Sequence, residues 1–103
     1  MNIRLSPSEV DTISSSFKKF FSKSDHLWLF GSRANPSARG GDIDLYIETS
    51  LDEDTAINQK IYFVTELYYK IGDQKIDIVL NCTQANHTLP IHIVAKRDGI
   101  KLV

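Results

Sequence analysis

Two short segments with strand character, joined by a loop, constrain the fold of this chain more than any other feature. Residues 26–30 form an apolar run that predicts a buried strand. Gly31 and Ser32 follow, and the glycines and proline of residues 33–41 predict a turn and a loop. Residues 42–48 alternate polar and apolar, as expected for a strand with one buried face. The pattern predicts a strand–loop–strand unit.

The remaining segments predict a small α/β domain around this unit. Ser6 and Glu9 form a capping box at the start of a helix that we expect to end near Lys23. We expect a second helix over 52–71, a strand over 75–80, a short helix over 88–98 and a last strand over 100–103. This order predicts a single α/β domain over residues 1–103, with a mixed sheet of three to four strands covered by helices.

Helical periodicity also predicts which side chains face the core. In the second helix the predicted stripe consists of Ile57, Ile61, Val64, Leu67, Tyr68 and Ile71. In the last helix the predicted inward residues are Ile91, Val94 and Ala95.

Three aspartates are the candidate metal ligands. Asp42 and Asp44 lie one residue apart on a predicted strand, so their side chains point to the same face. Neighbouring carboxylates repel unless a cation lies between them, and Mg²⁺ carried with a substrate phosphate fits that role. Asp77 joins them if its strand lies beside theirs, which would give a two-metal arrangement for displacement at phosphorus. Asp77 could instead be a salt-bridge partner of Lys75.

The Gly31-Ser32 corner offers backbone N–H groups that could bind phosphate oxygens. Ser32 could equally cap the turn after the strand, and the two roles are compatible because they use the same backbone geometry.

These motifs resemble the minimal nucleotidyltransferase (MNT) family of the DNA polymerase beta-like superfamily. The resemblance rests on Gly31-Ser32, on Asp42 and Asp44 after nine intervening residues, and on Asp77 in a later strand, and it extends from about residue 27 to 103. It implies a nucleotidyltransferase-like fold.

The resemblance also implies a role for each residue. Gly31 and Ser32 would hold the triphosphate of ATP or another NTP, with Arg33, and also Arg39, as further phosphate contacts. Asp42 and Asp44 would bind Mg²⁺, and Asp77 would complete the catalytic site as a metal ligand or as the base.

Composition narrows the class of protein. Lys and Arg number 12 against 13 Asp and Glu, which argues against a dedicated nucleic-acid binder. Cys82 is the lone cysteine, so an internal disulfide is excluded, and a reducing, cytoplasmic location is expected. No apolar run reaches membrane-spanning length, and no membrane association is expected.

The resemblance further implies a biological role. Minimal members of this kind resemble antitoxins of HEPN-domain toxins, and some transfer AMP from ATP to a tyrosine of the toxin. We therefore expect a Mg-dependent protein adenylyltransferase that acts on a HEPN-domain partner. The alternatives are a non-catalytic antitoxin that acts by binding alone, and transfer to a small molecule. Self-association is left open.

Overall fold

A computed structural model describes residues 5–34, 42–72, 74–85 and 88–103 of the chain. A four-stranded mixed sheet lies at its centre, with the spatial order β3-β2-β1-β4. The strands are β1 (His26–Phe30), β2 (Ile43–Thr49), β3 (Ile76–Cys82) and β4 (Ile100–Lys101). The helices are α1 (Pro7–Phe20), α2 (Glu53–Ile71) and α3 (Pro90–Asp98). The predicted fold class, a small α/β domain with a mixed sheet, is confirmed.

The first helix starts where the sequence predicts and ends earlier. The Ser6 hydroxyl accepts the backbone N–H of Glu9 at 3.1 Å, and the Glu9 carboxylate accepts the backbone N–H of Ser6 at 2.9 Å. The helix ends at Phe20 rather than near Lys23. The following turn is held by Asp25, whose carboxylate accepts the backbone N–H of Ser22 at 3.0 Å.

Strand pairing explains how the carboxylates meet. β1 and β2 pair antiparallel, with Phe30 opposite Asp44, and a short 3₁₀ turn over Gly31–Ala34 follows β1. The chain then crosses over through α2, so β3 lies parallel to β2 with Asp77 opposite Asp44. Parallel neighbours need such a crossover, and α2 supplies it.

The second helix begins and ends as predicted but turns a different face to the core. Asp52 caps its N-terminus by accepting the Thr55 backbone N–H at 3.1 Å, and Gly72 ends it with φ +85°. The fully buried side chains are Ala56, Phe63 and Leu67. Ile57 and Ile61 are exposed, so the predicted stripe was wrong at these positions and at Tyr68.

Most of the core lies between the sheet and the helices α1 and α2. It contains Ile13, Phe17 and Phe21 from the first helix region, together with buried side chains of β1, β2 and α2. Phe17 and Phe21 stack with ring centroids 4.9 Å apart, and Phe63 packs edge-on against Phe17.

The opposite face of the sheet is covered by α3 around a smaller cluster of Trp28, Tyr46 and Ala95. His92 is also buried, stacks on Tyr46 and accepts the Leu89 backbone N–H at 3.1 Å. Ile91 and Val94, predicted to face inward, are exposed. The face of α3 against the sheet is therefore smaller and more polar than the sequence predicts. No helix among the described residues is long and apolar enough to cross a membrane.

Candidate active site

Asp44 and Asp77 lie opposite each other on two parallel strands. The register of β2 and β3 pairs them directly, and paired residues of neighbouring strands have backbones about 4.8 Å apart. The β2–β3 register therefore brings together the two carboxylates that the sequence placed on separate strands.

Asp42 lies just before β2, and a lysine connects it to Asp77. The Lys75 Nζ is 3.5 Å from Asp42 Oδ2 and 3.9 Å from Asp77 Oδ2. All three side chains are about half exposed or more, at 46% for Asp42, 51% for Asp77 and 69% for Lys75. Asp77 thus lies beside Asp44, as a catalytic role requires. It also forms the salt bridge with Lys75 that the structural alternative predicts.

The environment of Asp44 is unfavourable for a bare carboxylate. Its pKa is raised above the ordinary value of 3.8, first by burial and then by the negative charges of Asp77 and Asp42. Lys75 offsets part of this effect. Three carboxylates with one lysine leave the cluster with an excess of negative charge that a cation would stabilise.

Gly31 brings the backbone of the turn against Asp44. It has φ +73°, which disfavours L side chains, and a Cβ at this position would lie only 2.2 Å from Asp44 Oδ2. Only glycine fits here without displacing the carboxylate. The predicted phosphate corner and the predicted metal ligand are therefore in direct contact.

The remaining predicted phosphate contacts stay predictions. Ser32 and Arg33 belong to the 3₁₀ turn that follows β1, but their side chains are not described. Arg39 lies outside the described residues.

The donor chemistry of the cluster fits Mg²⁺. Carboxylate oxygens are the hard ligands that this ion prefers, and three of them lie around a single lysine. In their present positions, however, the described residues contain no group of three His, Cys, Asp or Glu side chains arranged to hold a metal ion.

Sequence reasoning missed a polar network farther along the same face of the sheet. The Tyr46 hydroxyl donates to Glu48 at 3.1 Å and accepts from the Asn81 amide at 3.0 Å. Lys96 of α3 donates to Glu48 at 3.2 Å. The alternation of β2 already places Tyr46 and Glu48 on the face of Asp44, so the signal was present. These groups line a groove of about 420 Å³.

A search of curated proteins found no match to this sequence. A family model described as "Polymerase beta, Nucleotidyltransferase" matches residues 11–101 and therefore includes all three aspartates. Strands β1 to β3, the Gly31 turn and the cluster of carboxylates all lie within that range. The chain therefore belongs to the polymerase beta nucleotidyltransferase family.

Proposed function

We propose that this protein transfers AMP from Mg-ATP to a hydroxyl group of a partner protein, and that it acts as the antitoxin of a HEPN-domain toxin. The observation that carries the enzymatic part is the in-register pair of Asp44 and Asp77, with the backbone of Gly31 packed against Asp44. Family membership supports nucleotidyl transfer in general. The HEPN partner and the antitoxin role rest on the resemblance to minimal nucleotidyltransferases.

The reaction is a displacement at the α-phosphorus of ATP. The acceptor oxygen forms a bond to this phosphorus, the bond to the bridging oxygen breaks, and pyrophosphate leaves. The acceptor hydroxyl loses its proton, and Asp77, whose side chain is 51% exposed and therefore open to an acceptor, is our candidate base. The turn at Gly31 would position the triphosphate through its backbone N–H groups.

Asp42, Asp44 and Asp77 would hold the metal. When bound there, Mg²⁺ would supply neutralisation of the charge on the phosphates and on the attacking oxygen. The three carboxylates would fix the position of the ion. The hydrogen bonds of Tyr46 with Glu48 and Asn81 hold the neighbouring side chains on this face of the sheet in place.

A protein acceptor is supported by the surface of α2. Tyr62 and Tyr69 are 59% and 87% exposed, and exposed aromatic side chains are enriched at protein interfaces. A partner protein bound to α2 would bring its hydroxyl group to the same small domain that holds the nucleotide.

The test is intact-mass spectrometry of the protein encoded beside this one, which we expect to contain a HEPN domain, after incubation with this chain and Mg-ATP. We expect an increase by the mass of one or more AMP groups. Asp44→Ala should abolish the increase, whereas Asp11→Ala, which removes an exposed carboxylate of α1 far along the chain from the cluster, should leave it unchanged.

A second candidate, neutralisation by binding alone, is favoured by one observation. Lys75 already pairs with two of the three carboxylates, as a purely structural cluster would require. Under this alternative the partner gains no mass, and Asp44→Ala still binds and neutralises it. Loss of neutralisation by a folded Asp44→Ala variant that still binds the partner would exclude the alternative.

A further inference from the structure

Lys75 belongs to the same array of side chains as the three carboxylates. Its backbone carbonyl accepts the N–H of Ile43 at 2.9 Å. Ile43 is the first residue of β2 and is paired with Ile76, so the residues before them, Asp42 and Lys75, lie level with each other. Lys75 and Asp77 share one face of the sheet, because side chains alternate along an extended chain. The lysine thus forms one corner of an array whose other three corners are carboxylates.

The ammonium group of Lys75 connects two of these carboxylates directly. Its Nζ is 3.5 Å from Asp42 Oδ2 and 3.9 Å from Asp77 Oδ2. It also acts on the third, since burial and the charges of Asp77 and Asp42 raise the pKa of Asp44 and Lys75 lowers it. One lysine therefore supplies positive charge to all three carboxylates, as a bound cation would.

These ion pairs are of a kind that exchanges easily. Both distances exceed the value of about 2.7–2.9 Å that is usual for strong charged hydrogen bonds, and the lysine side chain is 69% exposed. Exposed pairs of this kind contribute little to stability. Lysine is also a compact charge on a flexible stem. Lys75 can therefore leave the carboxylates at little cost when another anion is near.

The nucleotide would bring such an anion to the same end of the sheet. The Gly31 turn follows β1 and Lys75 precedes β3, so they flank the start of β2 from its two sides. A triphosphate held by the turn would place its negative charge at this end of the sheet. Lysine is a common ligand of phosphate groups.

We propose that Lys75 is a tethered counter-ion of the carboxylates, which the metal displaces and the phosphates of the nucleotide then take up. This inference rests on the proposed function, because it takes Mg-ATP as the ligand. A metal ion that binds alone displaces the lysine without offering it a new partner, so it binds weakly. With nucleotide present the lysine pairs with phosphate, so each ligand strengthens the binding of the other.

Removal of the ammonium group should shift the two affinities in opposite directions. Lys75→Met keeps a side chain of similar length without the charge. We expect it to bind a divalent cation about tenfold more tightly in the absence of nucleotide, because nothing has to be displaced. We also expect its metal-loaded form to bind nucleotide about tenfold more weakly, because the phosphates lose a cation.

The test measures binding to the full chain without catalysis. Mn²⁺ stands in for Mg²⁺, since it prefers the same oxygen ligands and its binding can be followed by electron paramagnetic resonance. The nucleotide is an ATP analogue with a methylene group between the α- and β-phosphorus, which cannot release pyrophosphate. Isothermal titration calorimetry gives its affinity with and without Mn²⁺.

Two variants serve as controls. Lys75→Arg keeps the positive charge and should keep the mutual strengthening of metal and nucleotide binding. Lys70→Met removes another exposed lysine, which pairs with Glu66 on α2 at 3.8 Å, and should bind both ligands like the unsubstituted chain. Circular dichroism should show that every variant is folded.

Three results would overturn the proposal. Unchanged affinities in folded Lys75→Met would make the lysine an ordinary surface ion pair. Weaker binding of both Mn²⁺ and the analogue would mean that Lys75 shapes the site instead of competing for it. Failure of the unsubstituted chain to bind either ligand would contradict the proposed function as well. AMP transfer is measured separately, so transfer by a chain whose Lys75→Met variant gives either of the first two results leaves the proposed function intact.

Discussion

Gly31 and Gly72 share a positive φ but differ in what surrounds them. A Cβ on Gly31 would collide with Asp44, whereas a Cβ on Gly72 would have nothing within 4 Å. We expect Gly72→Ala to lower the free energy of unfolding by about 1 kcal/mol through backbone strain alone.

Gly31→Ala should cost about 1–3 kcal/mol and also abolish nucleotidyl transfer, because the carboxylate must move. Urea unfolding and the transfer assay measure the two effects. Full transfer activity in folded Gly31→Ala would contradict the contact that defines the site.

Without bound metal, the chain with Asp44 should be less stable than a variant with a neutral side chain at this position. The folded-state pKa of Asp44 is raised by burial and by Asp77 and Asp42, so ionisation of this group opposes folding at neutral pH. We therefore expect Asp44→Asn to raise Tm at pH 7 in EDTA, by about 1–4 °C.

The gain should disappear as the pH falls through the raised pKa of Asp44 toward 3.8, since the native aspartate then becomes neutral as well. Differential scanning calorimetry over this pH range measures the difference in Tm between Asp44→Asn and the unsubstituted chain. A gain in Tm that is independent of pH would point to a cause other than charge.

At the level of secondary structure, Asp25 joins two connections that are distant in sequence. Its buried carboxylate accepts the Thr49 hydroxyl at 2.7 Å, the Ser50 backbone N–H at 2.9 Å and the Ser22 backbone N–H at 3.0 Å. The turn before β1 is thereby fixed to the end of β2. Its burial would raise the pKa, but the hydrogen bonds from Ser50, Thr49 and Ser22 outweigh burial and hold it below 3.8.

We expect Asp25→Ala to lower the free energy of unfolding by about 2–4 kcal/mol, because it leaves buried donors without an acceptor. The contribution of Asp25 is present above pH 3.8 and is lost as the pH falls through its lowered pKa. Chemical denaturation at pH 7 and in acid measures both effects. An Asp25→Ala variant with unchanged stability at pH 7 would contradict this role.

The sequence predicted the positions of the helices and strands better than it predicted which side of each helix is buried. Ser6 and Gly72 are local capping signals, so the start of α1 and the end of α2 could be read directly, whereas the end of α1 lies at Phe20 rather than near Lys23. α2 has apolar residues on several sides, and periodicity cannot tell which side meets the sheet. Phe63 faces the core while Ile57 and Ile61 lie outside, because β3 is at the edge and the sheet does not extend over them.

The sequence singles out the candidate site residues but predicts only part of the contacts between them. The Asp42, Asp44 and Asp77 pattern was visible, and the parallel register explains how distant residues meet. The ion pairs of Lys75 with both Asp42 and Asp77, and the approach of Gly31 to Asp44, depend on tertiary placement, which one sequence does not specify.

For the whole molecule, ligand binding should raise the free energy of unfolding. A ligand that binds only the folded chain at a hundred times its Kd adds about 2.7 kcal/mol to the free energy of unfolding. For a domain of this size that corresponds to a rise in Tm of roughly 10–20 °C. We expect Mg-ATP to produce such a shift in differential scanning fluorimetry.

Asp42→Ala should lose most of the shift, because it removes a carboxylate from the cluster. Mg²⁺ without nucleotide and ATP with EDTA serve as controls. An equal Tm shift in Asp42→Ala and in the unsubstituted chain would show that the nucleotide binds at another site.

The crossover through α2 has a practical consequence. Gly31 and Asp44 precede this helix and Asp77 follows it, so a cut between Ile71 and Ile76 would divide the candidate site between two fragments. Neither fragment would hold the complete cluster, and only reassembly of β3 beside β2 would restore it. Expressed as two halves fused to other proteins, the chain would serve as a split reporter whose activity signals that the two fusion partners have met.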